Sequence, residues 1–550
     1  MALLSSSTGS TGRVAGLALL AALALALRLY RLDDLPAEPW DDVITHATLA
    51  RDVAGGRFFI GFRFGGDGPV FSYLLALPAK LGGLSFYTMK LATAIAGACL
   101  TLATYAYTHA LFERRHVALL AAFLSAVSFW SLTWSRQAKP HILVPLLVAV
   151  TFTFALRGRG AAAGIALGLG CYTQAGFWGM LAVPFALRAT YLAALLVLAP
   201  LAVHVLAQPQ TYLTGASFFG EKLGLAAGFG PADYATRLAT NVAANVLAFH
   251  VHGDRVFRHN VPGQPHLDPV SGLFFALGVA AVLWRVARNR DWRLLRYGVV
   301  PLVVLQVPSV LDVRNPQSLP NMGRMIAILP CVLAVTAYGI VETDRLFRQV
   351  ALPRLRHRRV VSPLDAGREC RAGRSGPEPG ISPRRAGREG WLRPVARWGM
   401  RAGPVILLAV LIAAINARSY FVVYPRTLPD GNTPFGRTIA GALDAYPLEF
   451  VAYVAGCCWG EWRQPEPGSV ALSLRRPRAI HFLQPDRPAA AVSCRDLAPA
   501  APGQRVVIVT SPRPPAADGS LDACLLNRRT WSLTRNGIEV ARMVEGEWRQ

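Results

Sequence analysis

A chain of 550 residues with 53% apolar and only 16% charged residues does not have the composition of a water-soluble domain, which carries about a quarter charged residues. Its mean hydropathy of +0.34 points the same way. The surplus of 25 positive charges does not indicate nucleic acid: no basic patch interleaved with aromatics lies on an amphipathic scaffold. On a membrane protein such arginines collect in cytoplasmic loops.

The chain opens on a lone Arg13 and an apolar run from Val14 to Leu29. The run is long for a signal-peptide core, and LRLYRLDDLP follows it where a small-residue cleavage site would stand, so a retained first helix is expected. Apolar stretches long enough to cross the hydrocarbon core fall near 14–30, 86–110, 117–134, 141–156, 160–175, 176–190, 191–206, 269–287, 297–312, 325–342 and 402–418. Eleven spans result. The connections ERRH (113–116), RGRG (157–160), Arg188, RVARNRDWRLLR (285–296) and 343–401 are all basic. They alternate with connections poor in Lys and Arg, which predicts a cytoplasmic N-terminus and an extracytoplasmic C-terminus.

The fold class expected is therefore a membrane all-α bundle of about eleven helices with a C-terminal extracytoplasmic α/β domain. Residues 1–342 form the transmembrane domain, with external loops 31–84 and 207–268. Residues 343–401 hold fifteen arginines and three AGR elements; this Gly- and Pro-rich linker cannot bury a core and is expected to be disordered. A last helix, 402–418, leads into 419–550. There a helical GRTIAGALDAY is followed by the strand-like runs LEFVAYVAG, AIHFLQ and RVVIVTS, a small α/β pattern. Cys457, Cys458, Cys494 and Cys524 lie in this region; four cysteines allow three full pairings, among which the sequence does not choose.

Three external clusters carry chemistry. In PAEPWDDVITHATLARDVAGG (36–56) a short amphipathic helix begins at Asp41 or Asp42 as N-cap. Asp42 and His46, four residues apart, face the same way and suit a general base or a share in a divalent metal. In RFGGDGPVFSYLLALPAK (63–80), Asp67 sits among glycines that let a ligand approach the backbone. In WSRQAKPH (134–141), Arg136, Lys139 and His141 stand where the charge bias disfavours cations. They read either as snorkelling side chains or as a seat for a phosphate group.

RLYRLDDLPAEPWDDV resembles the start of GT-C membrane glycosyltransferases, in particular the bacterial branch related to dolichyl-phosphate-mannose–protein mannosyltransferases (glycosyltransferase family 39-like). Further stretches agree in order: FSYLLALPAKLGG, WSRQAKPHILVPLL, GCYTQAGF, GDRVFRHNVPG, NMGRMIAILP and NARSYFVVYP. The resemblance implies inverting sugar transfer from a polyprenyl-phosphate donor to a protein, lipid or glycan acceptor on the outer face of the cytoplasmic membrane. It makes Asp42 the general base, places Arg136, Lys139 and Arg324 on the donor phosphate, and gives Asp41, His46, Asp67, His259 and Asn260 substrate-shaping or metal-binding roles. The chain departs from the family pattern at Val43, where a second acid is usual, at Gly68 before Pro69, and at Trp178, where an arginine is often present. Two other classes compete. A flippase or transporter would bury charges mid-span and show related halves. A non-catalytic membrane module would use its external domain to bind a partner.

Overall fold

The computed structural model describes residues 11–40, 42–63, 65–81, 83–215, 217–359, 392–455, 467–476, 478–483, 494, 497, 501–512 and 521–549. Among them, six helical segments are long and apolar enough to cross a membrane, joined by four shorter apolar helices; this is a multi-pass membrane protein. The helices that carry the site are α1 (Thr11–Leu29), α2 (Val43–Ala54), α3 (Pro69–Lys80), α4 (Phe86–Phe112), α5 (Arg115–Val127), α6 (Phe129–Trp134), α7 (Leu143–Leu156), α8 (Gly160–Cys171) and α9 (Arg188–Ala207). They are followed by α10 (Pro231–Leu247), α11 (Pro269–Asn289), α12 (Leu329–Arg359) and α13 (Leu392–Arg418).

Packing sorts these helices by their neighbours. The Ile326–Gln349 span is 89% buried inside the protein, whereas Arg188–Ala207, equally apolar, is only 17% buried. An apolar helix that protein leaves uncovered is one that lipid covers. Helix starts follow local chemistry. The Ser85 and Thr88 side chains exchange bonds with each other's backbone N–H in a capping box at α4. Asp268 accepts from the N–H groups of Val270 and Ser271 at α11.

Three expectations change. The stretch 117–134 is two helices: Ser128 leaves helical geometry and its hydroxyl caps α6 by accepting from Ser131 N–H. The stretch 176–190 is no spanning helix but a tight 3-10 segment, Ala175–Ala182, followed by extended chain. Gly176, Gly179 and Pro184 weaken an α-helix there. The expected disorder from residue 343 does not hold for 343–359, where α12 continues. Arg345 pairs with Glu342 and Arg348 with Asp344, each at 2.8 Å, on the helix surface. The AGR elements lie outside the described residues.

The C-terminal region builds a five-stranded sheet in the order β2-β1-β3-β5-β4. Its strands are β1 (Val451–Ala455), β2 (Ile480–Leu483), β3 (Arg505–Thr510), β4 (Leu525–Arg535) and β5 (Ile538–Trp548). The first three strands are parallel and the β4–β5 hairpin is antiparallel. The α/β pattern expected from the sequence is present: helix α14 (Phe435–Asp444) lays Ile439 and Leu443 on one face of the sheet, and Ile508 and Val544 pack beneath the other.

Cys494 and Cys524 are joined by a disulfide, whereas Cys457 and Cys458 lie outside the described residues. Peptide mapping under non-reducing conditions is expected to recover a Cys494–Cys524 cross-linked peptide; Cys524 linked instead to Cys457 or Cys458 would refute the pairing.

Candidate functional site

The segment after α6 governs the site's geometry. Arg136 folds back towards the end of α1 and is fully buried. Its Nη1 donates to the carbonyls of Leu27 (3.0 Å) and Arg28 (2.5 Å), and its Nη2 to those of Arg31 (3.0 Å) and Leu35 (3.2 Å). Its Nε donates to the Tyr420 hydroxyl at 3.1 Å. Every guanidinium nitrogen is engaged by protein, so the sequence-based placement of Arg136 on the donor phosphate is corrected: this cation binds backbone. Ala138 then adopts a left-handed conformation, φ 56°, and the next residue, Lys139, turns to a different target. Its Nζ lies 3.2 Å from Asp42 Oδ2. A non-glycine residue in that region costs about 1 kcal/mol, and here the strain separates two cations three residues apart.

Asp42 occupies the N-cap position of α2 but makes no capping bond, because its carboxylate faces Lys139. One turn on, buried His46 places Nε2 3.1 Å from Asp67 Oδ2. The expected Asp42–His46 pairing is therefore divided: each side chain finds a partner distant in sequence. Asp41 lies outside the described residues. Burial disfavours the Asp67 carboxylate, but the hydrogen bond and charge of His46, with the fields of His141 and Lys139, outweigh it and hold the carboxyl below its usual range. Among the described residues no three His, Cys, Asp or Glu side chains gather as a metal-binding group, so the possible divalent metal finds no ligand set there.

Asp67 is held by a short antiparallel pairing. Ala175 N–H donates to Gly66 O (2.8 Å), Gly68 N–H to Thr173 O (2.9 Å) and Val70 N–H to Tyr172 O (3.3 Å). A Cβ on Gly68 would lie 2.1 Å from the Tyr172 carbonyl oxygen. Glycine is needed at position 68 because the backbones approach too closely for any side chain. Gly68→Ala should destabilise the protein by about 1–3 kcal/mol. Gly441, with nothing within 4 Å of its would-be Cβ and lying in exposed helix, should accept Ala at no cost. Thermal unfolding in detergent compares the two, and equal midpoints would contradict the steric reading.

Behind this pair stands a ring stack. Trp134 lies between His141 (centroids 4.2 Å apart) and His259 (4.8 Å). Gln174 Nε2 sits 2.7 Å from His141 Nε2. His259 Nδ1 is 3.0 Å from Asp254 Oδ2. Asp254, fully buried, also accepts from the N–H groups of Met322 and Val256, both at 2.8 Å. It thereby ties the loop 253–263 to the turn that carries Arg324. Asn260 closes the same loop by donating to Asp254 O at 3.0 Å. His259 and Asn260 thus hold the 253–263 loop together. For Asp254, burial is outweighed by His259 and the two backbone donors, so its carboxyl lies below the usual range. Burial lowers His259 despite Asp254 and pushes His266 down to about 4.

The sign for His266 follows from linkage. Between pH 6.5 and about 4 the unfolded chain binds a proton on this ring that the native chain does not. Stability is therefore present above 6.5 and falls as pH drops through that window, by about 3 kcal/mol in all. His266→Gln is expected to flatten the fall of the unfolding midpoint between pH 7 and 4.5; an unchanged slope would rule the ring out as its source.

On the far side of Gln174 opens a cavity of about 330 Å³ whose lining includes Gly65, Gln174, Trp178, Lys222, Asp312 and Arg324. Arg324 and Lys222 share buried Asp312: Arg324 Nη1 is in contact with Oδ2, and Lys222 Nζ lies 3.3 Å from it. Arg324 also donates to Ser318 Oγ at 3.0 Å. Burial and the neighbouring Arg324 lower the pKa of Lys222, against the pull of Asp312. The cavity thus holds two cations against one carboxylate, which suits an anion. Trp178 lines it as well, and Arg324 and Lys222 supply its positive charge. Sequence reasoning does not single out Lys222, although as a lysine in a loop expected to be external it breaks the same charge bias that singles out Arg136 and Lys139. A second, open groove of about 630 Å³ lies beyond Pro69, Val70 and Tyr172; the 63–80 cluster contributes Arg63, Pro69, Val70 and Tyr73 to it, but no candidate catalytic or phosphate-binding residue.

No protein-family model and no curated protein matches the sequence. Among solved structures, ArnT from Cupriavidus metallidurans is similar over 98% of both chains at 13% identity. Its TM-score is 0.52 in the apo state and 0.51 bound to undecaprenyl phosphate. The oligosaccharyltransferase AglB from Archaeoglobus fulgidus, in complex with an inhibitory peptide and a dolichol-phosphate, matches 92% of this chain and 70% of its own at 13% identity and a TM-score of 0.46.

Proposed function

We infer that the chain is a membrane glycosyltransferase of the GT-C type, from the fold it shares with ArnT. From that premise we propose that it transfers a sugar from a polyprenyl-phosphate donor to an acceptor hydroxyl at the outer face of the cytoplasmic membrane, with Asp42 as general base and inversion at the anomeric carbon. The observation that carries this reading is the continuity of the site. Asp42 and Lys139 adjoin the His46–Asp67 pair, and the polar cluster runs through His141 and Gln174 to the cavity of Lys222 and Arg324. ArnT, of the same fold, has been seen with undecaprenyl phosphate, a ligand of the chemistry this cavity suits.

In the reaction, Asp42 takes the acceptor's proton as the hydroxyl oxygen attacks the anomeric carbon. The bond from that carbon to the phosphate oxygen breaks, and the electron pair leaves with polyprenyl phosphate. The growing negative charge on the phosphate is met by Arg324 and Lys222, where Arg contributes a planar fork and Lys a compact charge. Lys139 pairs with Asp42 at rest, and an approaching phosphate competes with the carboxylate for its ammonium group. The outward orientation rests on the basic connections between spans.

The test uses purified protein in liposomes with radiolabelled polyprenyl-phosphate hexoses and pentoses. Asp42→Asn should lower donor consumption by about 10²–10⁴-fold, the range for loss of a positioned base. Arg324→Ala and Lys222→Ala should raise the donor KM as well as lower turnover. Consumption of a donor that is indifferent to Asp42→Asn would remove Asp42 from the mechanism.

A further inference from the structure

The C-terminal domain grips the Asp42 segment from both sides. Four residues before Asp42, Glu38 is buried. Its two carboxylate oxygens each lie 3.1 Å from Gly436 N–H, in the first turn of α14, and the Ser469 hydroxyl donates to Oε1. A carboxylate at a helix N-terminus meets unpaired N–H groups and the positive end of the helix dipole, and bonds to a charged acceptor are about twice as strong as neutral ones. Two residues after Asp42, Ile44 packs so closely on the domain that a Cβ on Gly468 would stand 2.3 Å from its Cγ2. Asn432 completes the grip: its Oδ1 accepts from Ala37 N–H at 2.8 Å, and its Nδ2 donates to Asp34 O at 2.7 Å.

We infer that Glu38 is a positioning residue through which the C-terminal domain sets the place of Asp42, so that the docked domain is part of the active enzyme rather than an appendage. The inference rests on Asp42 being the base. Between Glu38 and Asp42 lies buried Trp40, edge-on to Phe257 at 5.9 Å. The chain from 37 to 44 is thus fixed at Ala37, Glu38, Trp40, Asp42 and Ile44, and three of these five anchors belong to the domain. Releasing Glu38 removes the buried, charge-assisted anchor of the chain that leads into α2. Displacement of a reacting group by about 1 Å can cost on the order of 10²-fold in rate. The donor cavity, lined by Lys222 and Arg324, lies outside these contacts.

The full-length protein carrying Glu38→Ala and Glu38→Gln tests this. Glu38→Ala should lower kcat about tenfold or more with donor KM within about twofold, and Glu38→Gln, whose amide oxygen still accepts from Gly436, should recover most of it. Independently of activity, hydrogen exchange of the amides 37–47 should accelerate in Glu38→Ala while the strands 505–510 and 538–548 stay protected. Unchanged exchange at 37–47 overturns the inference, as does faster exchange with full kcat in an enzyme that Asp42→Asn inactivates. If Asp42→Asn is harmless, the assignment of the base fails, and the exchange data still decide whether the domain holds the segment.

Discussion

The part of this molecule that carries Asp42 depends on a buried cation binding backbone. Arg136 collects four main-chain carbonyls from the end of α1 and the turn that follows it. The last carbonyls of a helix lack intrahelical partners and carry its negative pole. At a membrane boundary water cannot be counted on to satisfy them, and an arginine with five donors can. Lys90 does the same from α4, donating to Leu32, Asp33 and Pro36. Hydrogen bonds to a charged group are worth about 1.5–3 kcal/mol each, and an orphaned buried carbonyl costs as much. The turn from 27 to 36 is therefore one of the firmest pieces of irregular chain in the protein, and the segment leading to Asp42 is built out from it.

That arrangement joins two regions distant in sequence with one short loop. The four residues Arg136–Lys139 fix both the backbone that leads to Asp42 and the charge that faces it. A change in this loop would act on position and electrostatics together. The ring stack behind it does the corresponding task for the cavity: Trp134, held between His141 and His259, fills the space that Gly323 leaves open, since a Cβ there would come within 2.6 Å of the indole. Arg324 follows directly. Its N–H, with that of Gly323, donates to Asn321 Oδ1, so the turn presents its guanidinium from a closed local unit.

Much of this was legible in the sequence. Hydropathy and the placement of arginines indicate a multi-span chain, because span length and loop charge are one-dimensional properties. The helix and three parallel strands of the C-terminal domain follow from short apolar runs. The β4–β5 hairpin does not follow from those runs; its signal is the Asn536-Gly537 turn, both residues at positive φ. The candidate site was legible as a set of residues but not as a set of partners. Spacing says that Asp42 and His46 share a face of α2; it says nothing of Lys139 and Asp67, which approach from other elements and divide them. Arg136 shows the same limit, since an arginine that seats an anion and one that caps a helix have one sequence appearance.

The buried charges also tie the C-terminal domain to the membrane domain. Glu38 could not remain buried unpaired, because an isolated carboxylate out of water costs several kcal/mol. Its partners come from α14 and Ser469, so withdrawing the domain would either hydrate Glu38 or move the chain that carries it. Arg136 and Lys90 pin that chain at 27–36 and the domain pins it at 37, 38 and 44. Asp42 lies between the two sets of anchors. Asp42 is thus held by both halves of the protein, each supplying the restraint the other lacks.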